Sequence, residues 1–185
     1  MIIAIKKENE IVVGITVCDS LVDMTEKDLS LTENLPFWKV KGVNDCYVFA
    51  EDLTFSTDLL RYNNHIFKNI NDGNSIISDV IPKMKELLGK YSRIIDGKEW
   101  DSQLLIVVGG KLFTIGHYFT VSEIDDFTGL GFEQYLIGGL NETKEYEPKE
   151  SILFAVRNLN RMRSRNFFPI LLFDAKTNKK KVYYQ

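Results

Sequence analysis

Only two cysteines occur in the chain, Cys18 and Cys46, and neither belongs to a CxxC pair or lies near a pair of histidines. That excludes a zinc-finger spacing and a disulfide framework and fits reduced thiols in a cytosolic protein; a bridge between the two is permitted but nothing requires it. Histidine is equally scarce, with His65 and His117 alone, and both are read as surface or capping residues. No run approaches the roughly 20 apolar residues that span a bilayer. The opening Met1-Ile-Ile-Ala-Ile-Lys-Lys puts its basic residues after a short apolar run, the reverse of a signal peptide. There is no internal repeat and no low-complexity tract. Charge of one sign is missing too: 23 Lys+Arg face 26 Asp+Glu, a formal net charge of -3, which gives no general attraction to nucleic acid or an anionic membrane. These absences predict a soluble, cytoplasmic protein with no metal, no cofactor, no membrane contact and no nucleic-acid partner.

What remains is ordinary globular material. With 185 residues, 44% of them hydrophobic, the chain is long enough for one sizeable core, and one domain over 1–185 is the expectation. Its organising stretch is Leu104 to Leu140. Leu104 to Val108 is a continuous apolar run that reads as a strand buried on both faces, and Gly109-Gly110 links it to the apolar run after Lys111 as a hairpin. After a polar interval come Phe127-Thr-Gly-Leu-Gly-Phe and a helical spacing of Phe132, Tyr135, Leu136 and Leu140.

Around this centre the pattern predicts a hairpin from Ile2–Lys6 and Ile11–Val17, an ordered excursion over residues 19–34, and a second hairpin from Phe37–Val40 and Cys46–Ala50. A helix from Asp52, capped by Asp52 or Thr54 and ended at Asn71-Asp72-Gly73, follows. A second helix runs from about Ser75 to Ile95, kinked at Pro82. Glu147-Pro148-Lys149-Glu150 starts another, with Ile152, Val156, Leu159 and Met162 as its buried stripe. Phe168–Phe173 and Val182–Tyr184 form the last hairpin. Two antiparallel sheets packed face to face between helix pairs, an α+β four-layer αββα sandwich, would bury all these stripes.

That order, with a strand at residue one, resembles the N-terminal nucleophile hydrolases, and within them the proteasome β-subunit family and the related bacterial ATP-dependent protease subunit. The resemblance rests on Ile2-Ile-Ala-Ile-Lys-Lys-Glu-Asn-Glu-Ile-Val-Val-Gly-Ile, Trp38-Lys39-Val40, Phe49-Ala50, Phe127-Thr-Gly-Leu-Gly-Phe and Pro148-Lys-Glu-Ser-Ile, in that order and spacing. It implies amide hydrolysis by the hydroxyl or thiol of the first residue, whose own α-amino group takes the proton while a lysine and backbone N–H groups stabilise charge. Here Met1 and Ile2 stand at that position, and the large Ile2 disfavours removal of Met1. Thr16 falls where the family has an aspartate, with Asp19 three residues late. Glu51 falls where it has an oxyanion glycine, and Leu130 replaces the serine between Gly129 and Gly131. Lys39 alone is retained in type; if buried, it needs a partner, for which Glu51 is the nearest carboxylate in prospect.

Several other features have sharper readings that plain packing outweighs. Gly129-Leu-Gly-Phe lacks the third glycine of a dinucleotide loop. Cys18 would be a nucleophile only after a cut that removes the first hairpin. Arg157, Arg161, Arg163 and Arg165 suit the negative end of a helix dipole, facing water or a neighbouring subunit. Lys179-Lys180-Lys181 reads as a solvated turn, and Phe167, Phe168, Tyr183 and Tyr184 as core and interface. The resulting expectation is a proteasome-like subunit without catalytic residues, its old cleft marked by Met1, Ile2, Thr16, Lys39, Glu51 and Gly129. It would act as a structural or interaction protein in a homo-oligomer, with a protein partner possible. The alternatives are a working hydrolase exposed by an unforeseen maturation and a small-ligand binding module using the cleft.

Overall fold

The computed structural model describes residues 1–16, 35–51, 54–131, 145–162 and 167–184. The chain divides into two units, Met1–Asn34 with Asp126–Gln185, and the intervening Leu35–Asp125. In chain order the elements begin with β1 (Ile2–Lys7), β2 (Glu10–Thr16), β3 (Phe37–Lys39), β4 (Tyr47–Ala50) and α1 (Phe55–Tyr62). A 3-10 turn (Asn64–Phe67), α2 (Gly73–Ser75), a π turn (Ile76–Val80) and α3 (Ile81–Lys90) follow. Then come β5 (Ile94–Ile95), β6 (Glu99–Trp100), β7 (Leu104–Val108), β8 (Lys111–Ile115), β9 (Val121–Ile124) and β10 (Phe127–Leu130). The last are α4 (Pro148–Met162), β11 (Ile170–Asp174) and β12 (Lys179–Tyr183). Each unit holds one five-stranded antiparallel sheet, ordered β10-β1-β2-β11-β12 in the first and β3-β4-β7-β8-β9 in the second.

In the first unit, alternation along β1 sends Ile3 and Ile5 to the face covered by α4, while Ile2 and Ala4 point the other way; all four are buried. The predicted stripe of α4 supplies Ile152, Val156 and Leu159 to that covered face, and Phe167 and Phe168 close it as core residues. Each such fully buried aliphatic or aromatic side chain contributes about 1.5–3 kcal/mol by leaving water. Strand and helix meet tightly at Gly14, where an added Cβ would stand 2.6 Å from Ile152 Cγ2. Glycine in this strand is therefore a packing requirement.

In the second unit the central hairpin forms as its sequence dictates. Val108 pairs with Lys111, and the two linking glycines adopt φ 57° and 72°, the left-handed pair that a twist-compatible two-residue turn demands. All of Leu104–Val108 is buried. Thr54, one of the two residues named as caps, closes α1: its hydroxyl accepts the Thr57 N–H at 3.3 Å, and Thr57 Oγ1 accepts the Thr54 N–H at 2.8 Å. Replacing Thr54 with alanine is expected to cost about 1 kcal/mol. Chemical denaturation of the variant checks this; an unchanged midpoint would mean the cap is not holding the helix.

Several elements differ from the sequence reading. The helix expected to reach Asn71 ends at Tyr62 and continues as the 3-10 turn. The next one does not kink through a regular helix; a π turn, in which Ile81 N–H donates to the Ile76 carbonyl, widens the backbone just before Pro82. That is one of the ordinary ways a helix takes up a proline. It stops at Lys90, and Ile94-Ile95 instead pairs with Glu99–Trp100 as a short hairpin. Val121–Ile124, read as part of a polar interval, and Phe127–Leu130, read only as the approach to a helix, are strands. Lys179–Lys181, read as a turn, lies in β12. The helix after Gly131, Cys18, the excursion over 19–34, Asp52, Arg163 and Arg165 lie outside the described residues.

Cys46 is a free thiol with no exposed surface, and burial pushes it up to about 12. Its thiolate fraction at mildly alkaline pH is negligible. Peptide mapping after iodoacetamide treatment is expected to find Cys46 unmodified in the folded protein and modified after denaturation. Equal labelling of both states would contradict the burial.

Among the described residues no helix is long and apolar enough to cross a membrane, and no cluster of histidine, cysteine and carboxylate side chains is grouped to hold a metal ion.

Candidate functional site

Four of the six cleft residues meet at one end of the first sheet. β1 begins there, β2 and β10 end there, and the register sets Ile2 opposite both Ile15 and Leu130, and Ile3 opposite Gly129. Thr16 is bonded to Met1 twice through one acceptor. Its backbone N–H donates to the Met1 carbonyl at 3.0 Å and its hydroxyl donates to the same oxygen at 3.3 Å. Where the resemblance calls for a carboxylate, a neutral hydroxyl is thus turned toward the backbone. The Met1 side chain packs against the core under α4, and Ile2 has no exposed surface. Their side chains are a thioether and a hydrocarbon.

The other two candidates lie in the second unit, at separate places on its sheet. Lys39 ends β3 and is exposed; its Nζ stands 5.6 Å from the ring centroid of Tyr47, its cross-strand partner. Tyr47 is itself buried, and its phenol is pushed up by that burial first and by the charge of Asp45 second. Burial of Lys39 was the condition for pairing it with Glu51, and that condition is not met: an exposed ammonium over an aromatic face needs no carboxylate.

Glu51 follows β4 and has other neighbours. Its backbone N–H, the group that would be an oxyanion donor, donates to the Gln103 carbonyl at 3.0 Å. Its carboxylate stands 4.0 Å from His117 Nε2. His117, expected as a plain surface or capping residue, is half-buried and bonded at both nitrogens: Nδ1 lies 3.1 Å from the Trp100 carbonyl and Nε2 lies 2.9 Å from Gln103 Nε2. A carbonyl only accepts, so Nδ1 carries the proton and Nε2 accepts from the amide, a tautomer assigned from the network. Sequence did hold a signal for this meeting. Extending the hairpin register from Leu104 opposite Ile115 brings the residues just before β7 alongside those just after β8. His65, by contrast, is exposed as expected.

Of the positions the resemblance singles out, the described residues place a lysine at the end of β3, a threonine at 16 and, at Glu51, a backbone N–H bonded to the Gln103 carbonyl, while β1 carries no hydroxyl or thiol.

No family model matches the chain, and no curated protein does either. Solved structures do. Thiobacillus denitrificans BPH, in complex with epoxomicin, matches with a TM-score of 0.69 at 14% identity over 94% of this chain and 96% of its own. Anbu, an ancestral beta-subunit from Yersinia bercovieri, matches at 0.64 and 11% identity over 100% of this chain and 86% of its own. Eukaryotic HslV from Trypanosoma brucei matches at 0.57 and 11% identity over 92% and 97%. At such identities the likeness concerns the course of the chain and not its chemistry. Two antiparallel sheets with few helices, following these neighbours over nearly their whole length, give this chain the proteasome-like fold of the N-terminal nucleophile hydrolases.

Proposed function

We propose that this chain is a proteasome-like subunit without peptidase chemistry, serving as a structural or interaction protein in a homo-oligomer. The observation that carries the reading is the start of β1: from Met1 to Lys7 there is no serine, threonine or cysteine. Whichever of these residues came first in a mature chain, its side chain would offer no hydroxyl or thiol to attack a carbonyl as the resemblance requires. The packing of Met1 against the helix-covered core and the use of the Glu51 N–H within its own sheet support the same reading. Assembly is supported by the neighbours' names, since Anbu is described as a beta-subunit.

The test is turnover. With fluorogenic peptides and simple amides, the purified full chain is expected to release product no faster than buffer. Release that persists through further purification and disappears on substitution of Thr16 or Lys39 would establish a working hydrolase and end the proposal.

A further inference from the structure

Two Asp-Gly pairs occur in the chain, Asp72-Gly73 and Asp96-Gly97. In such a pair the side-chain carboxyl is open to attack by the next backbone nitrogen, because glycine has no Cβ to shield that nitrogen and its backbone turns freely. Their surroundings set the two pairs apart. Asp72 is the N-cap of α2: its Oδ1 accepts the Ser75 N–H at 2.8 Å, and the Ser75 hydroxyl accepts the Asp72 N–H at 3.0 Å. The bond from the Ser75 N–H holds the Asp72 carboxyl below the usual carboxylate range and so keeps it an anion, a poor electrophile. Gly73 begins α2 against Phe113, whose Cε1 an added Cβ would meet at 3.2 Å. Asp96-Gly97 is placed otherwise. Both residues are exposed at the tip of the β5–β6 hairpin, at φ 48° and 69°, in a turn closed by the Lys98 N–H donating to the Ile95 carbonyl at 3.0 Å. A Cβ added at Gly97 would meet nothing within 4 Å, so a ring closing there has open space around it. β5 and β6 are two residues each and pair with one another, and the tip of so short a ribbon opens readily.

We propose that Asp96 is a site of isoaspartate formation, in which the Gly97 backbone nitrogen attacks Asp96 Cγ while Asp72 is protected. The N–Cγ bond forms as the bond from Cγ to the carboxyl hydroxyl breaks. That hydroxyl leaves with the Gly97 N–H proton as water, and a succinimide ring results. Water then reopens the ring. Addition at Cγ restores aspartate, whereas addition at the main-chain carbonyl carbon of Asp96 breaks its bond to the Gly97 nitrogen and leaves the chain running through Cβ and Cγ. The water released in the first step is taken up in the second, so nothing is oxidised or reduced. The product has one more main-chain atom in the turn that Lys98 closes on Ile95. It also carries a new α-carboxylate, which a methyltransferase specific for isoaspartate labels from S-adenosylmethionine.

Ageing the full chain at physiological temperature, folded in buffer and unfolded in guanidinium chloride, tests this. Trypsin places the two pairs on separate peptides, since cleavage after Arg93 and Lys98 releases residues 94–98 and cleavage after Lys68 and Lys83 releases residues 69–83. Isoaspartate in each is counted by methyl label and by backbone fragmentation in the mass spectrometer. In the folded chain it is expected to accumulate in 94–98 about ten times faster than in 69–83, because only the first pair opens without breaking a helix cap. In denaturant the two rates should converge, since the sequence Asp-Gly is then all that remains. Equal accumulation in both peptides of the folded chain, or none in 94–98 until the chain is unfolded, would overturn the proposal.

Discussion

Replacing Trp100 by alanine is expected to destabilise the protein by about 3–5 kcal/mol, among the largest effects a single substitution in the second unit should have. Trp100 has no exposed surface and stacks on Phe119 with ring centroids 5.9 Å apart. Its indole N–H donates to the Gly116 carbonyl at 2.9 Å, and its backbone N–H donates to the His117 carbonyl at 3.0 Å. Alanine would leave a cavity and strip the Gly116 carbonyl of its donor. Trp100→Phe separates the two losses, since it keeps most of the apolar volume and removes the N–H. That variant is expected to lose only about 1–3 kcal/mol. Equal losses for alanine and phenylalanine in denaturant titrations would show that the hydrogen bond, and not the volume, governs the site.

The second large effect concerns Gly14. Because a Cβ there would meet Ile152 Cγ2 at 2.6 Å, below any normal contact, Gly14→Ala must push strand and helix apart or force Ile152 off its rotamer. The expected cost is about 1–3 kcal/mol. Ile152 is fully buried, so Ile152→Ala alone should cost about 2–5 kcal/mol. In the double variant the new methyl occupies part of the vacated space, and the combined loss should fall short of the sum by about 0.5–3 kcal/mol. Strict additivity would mean that the two residues do not share the contact.

These elements also show where sequence suffices. The β7–β8 hairpin is legible because two linked glycines permit a turn that few other residues allow, and the flanking runs are apolar throughout. Helix α4 is legible because proline, acid and a four-residue stripe all agree. What sequence hides is set by distant partners. β10 contains Gly129, which interrupts its apolar run, and it is a strand because Ile2 to Ile5 of β1 pair with it. β12 is built of lysines, weak strand formers, and it is held by β11. Helix periodicity continues through Ile94 and Ile95, but Ser92 turns left-handed at φ 53° and the chain leaves the helix there. At the candidate cleft, sequence names residues and not their surroundings. Lys39 is exposed over Tyr47, and Glu51 has turned to Gln103 and His117. An edge strand's solvent side and a loop's tertiary neighbour leave no periodic mark.

The absence of serine, threonine and cysteine from β1 is what the functional reading depends on, and epoxomicin, bound by one of the fold neighbours, probes that reading directly. Protein isolated from its native cells would be incubated with the compound and weighed intact, with its first residue identified. The account predicts an unshifted mass and no chain beginning on threonine, serine or cysteine. A mass increase of one epoxomicin, mapped to such a first residue, would contradict it.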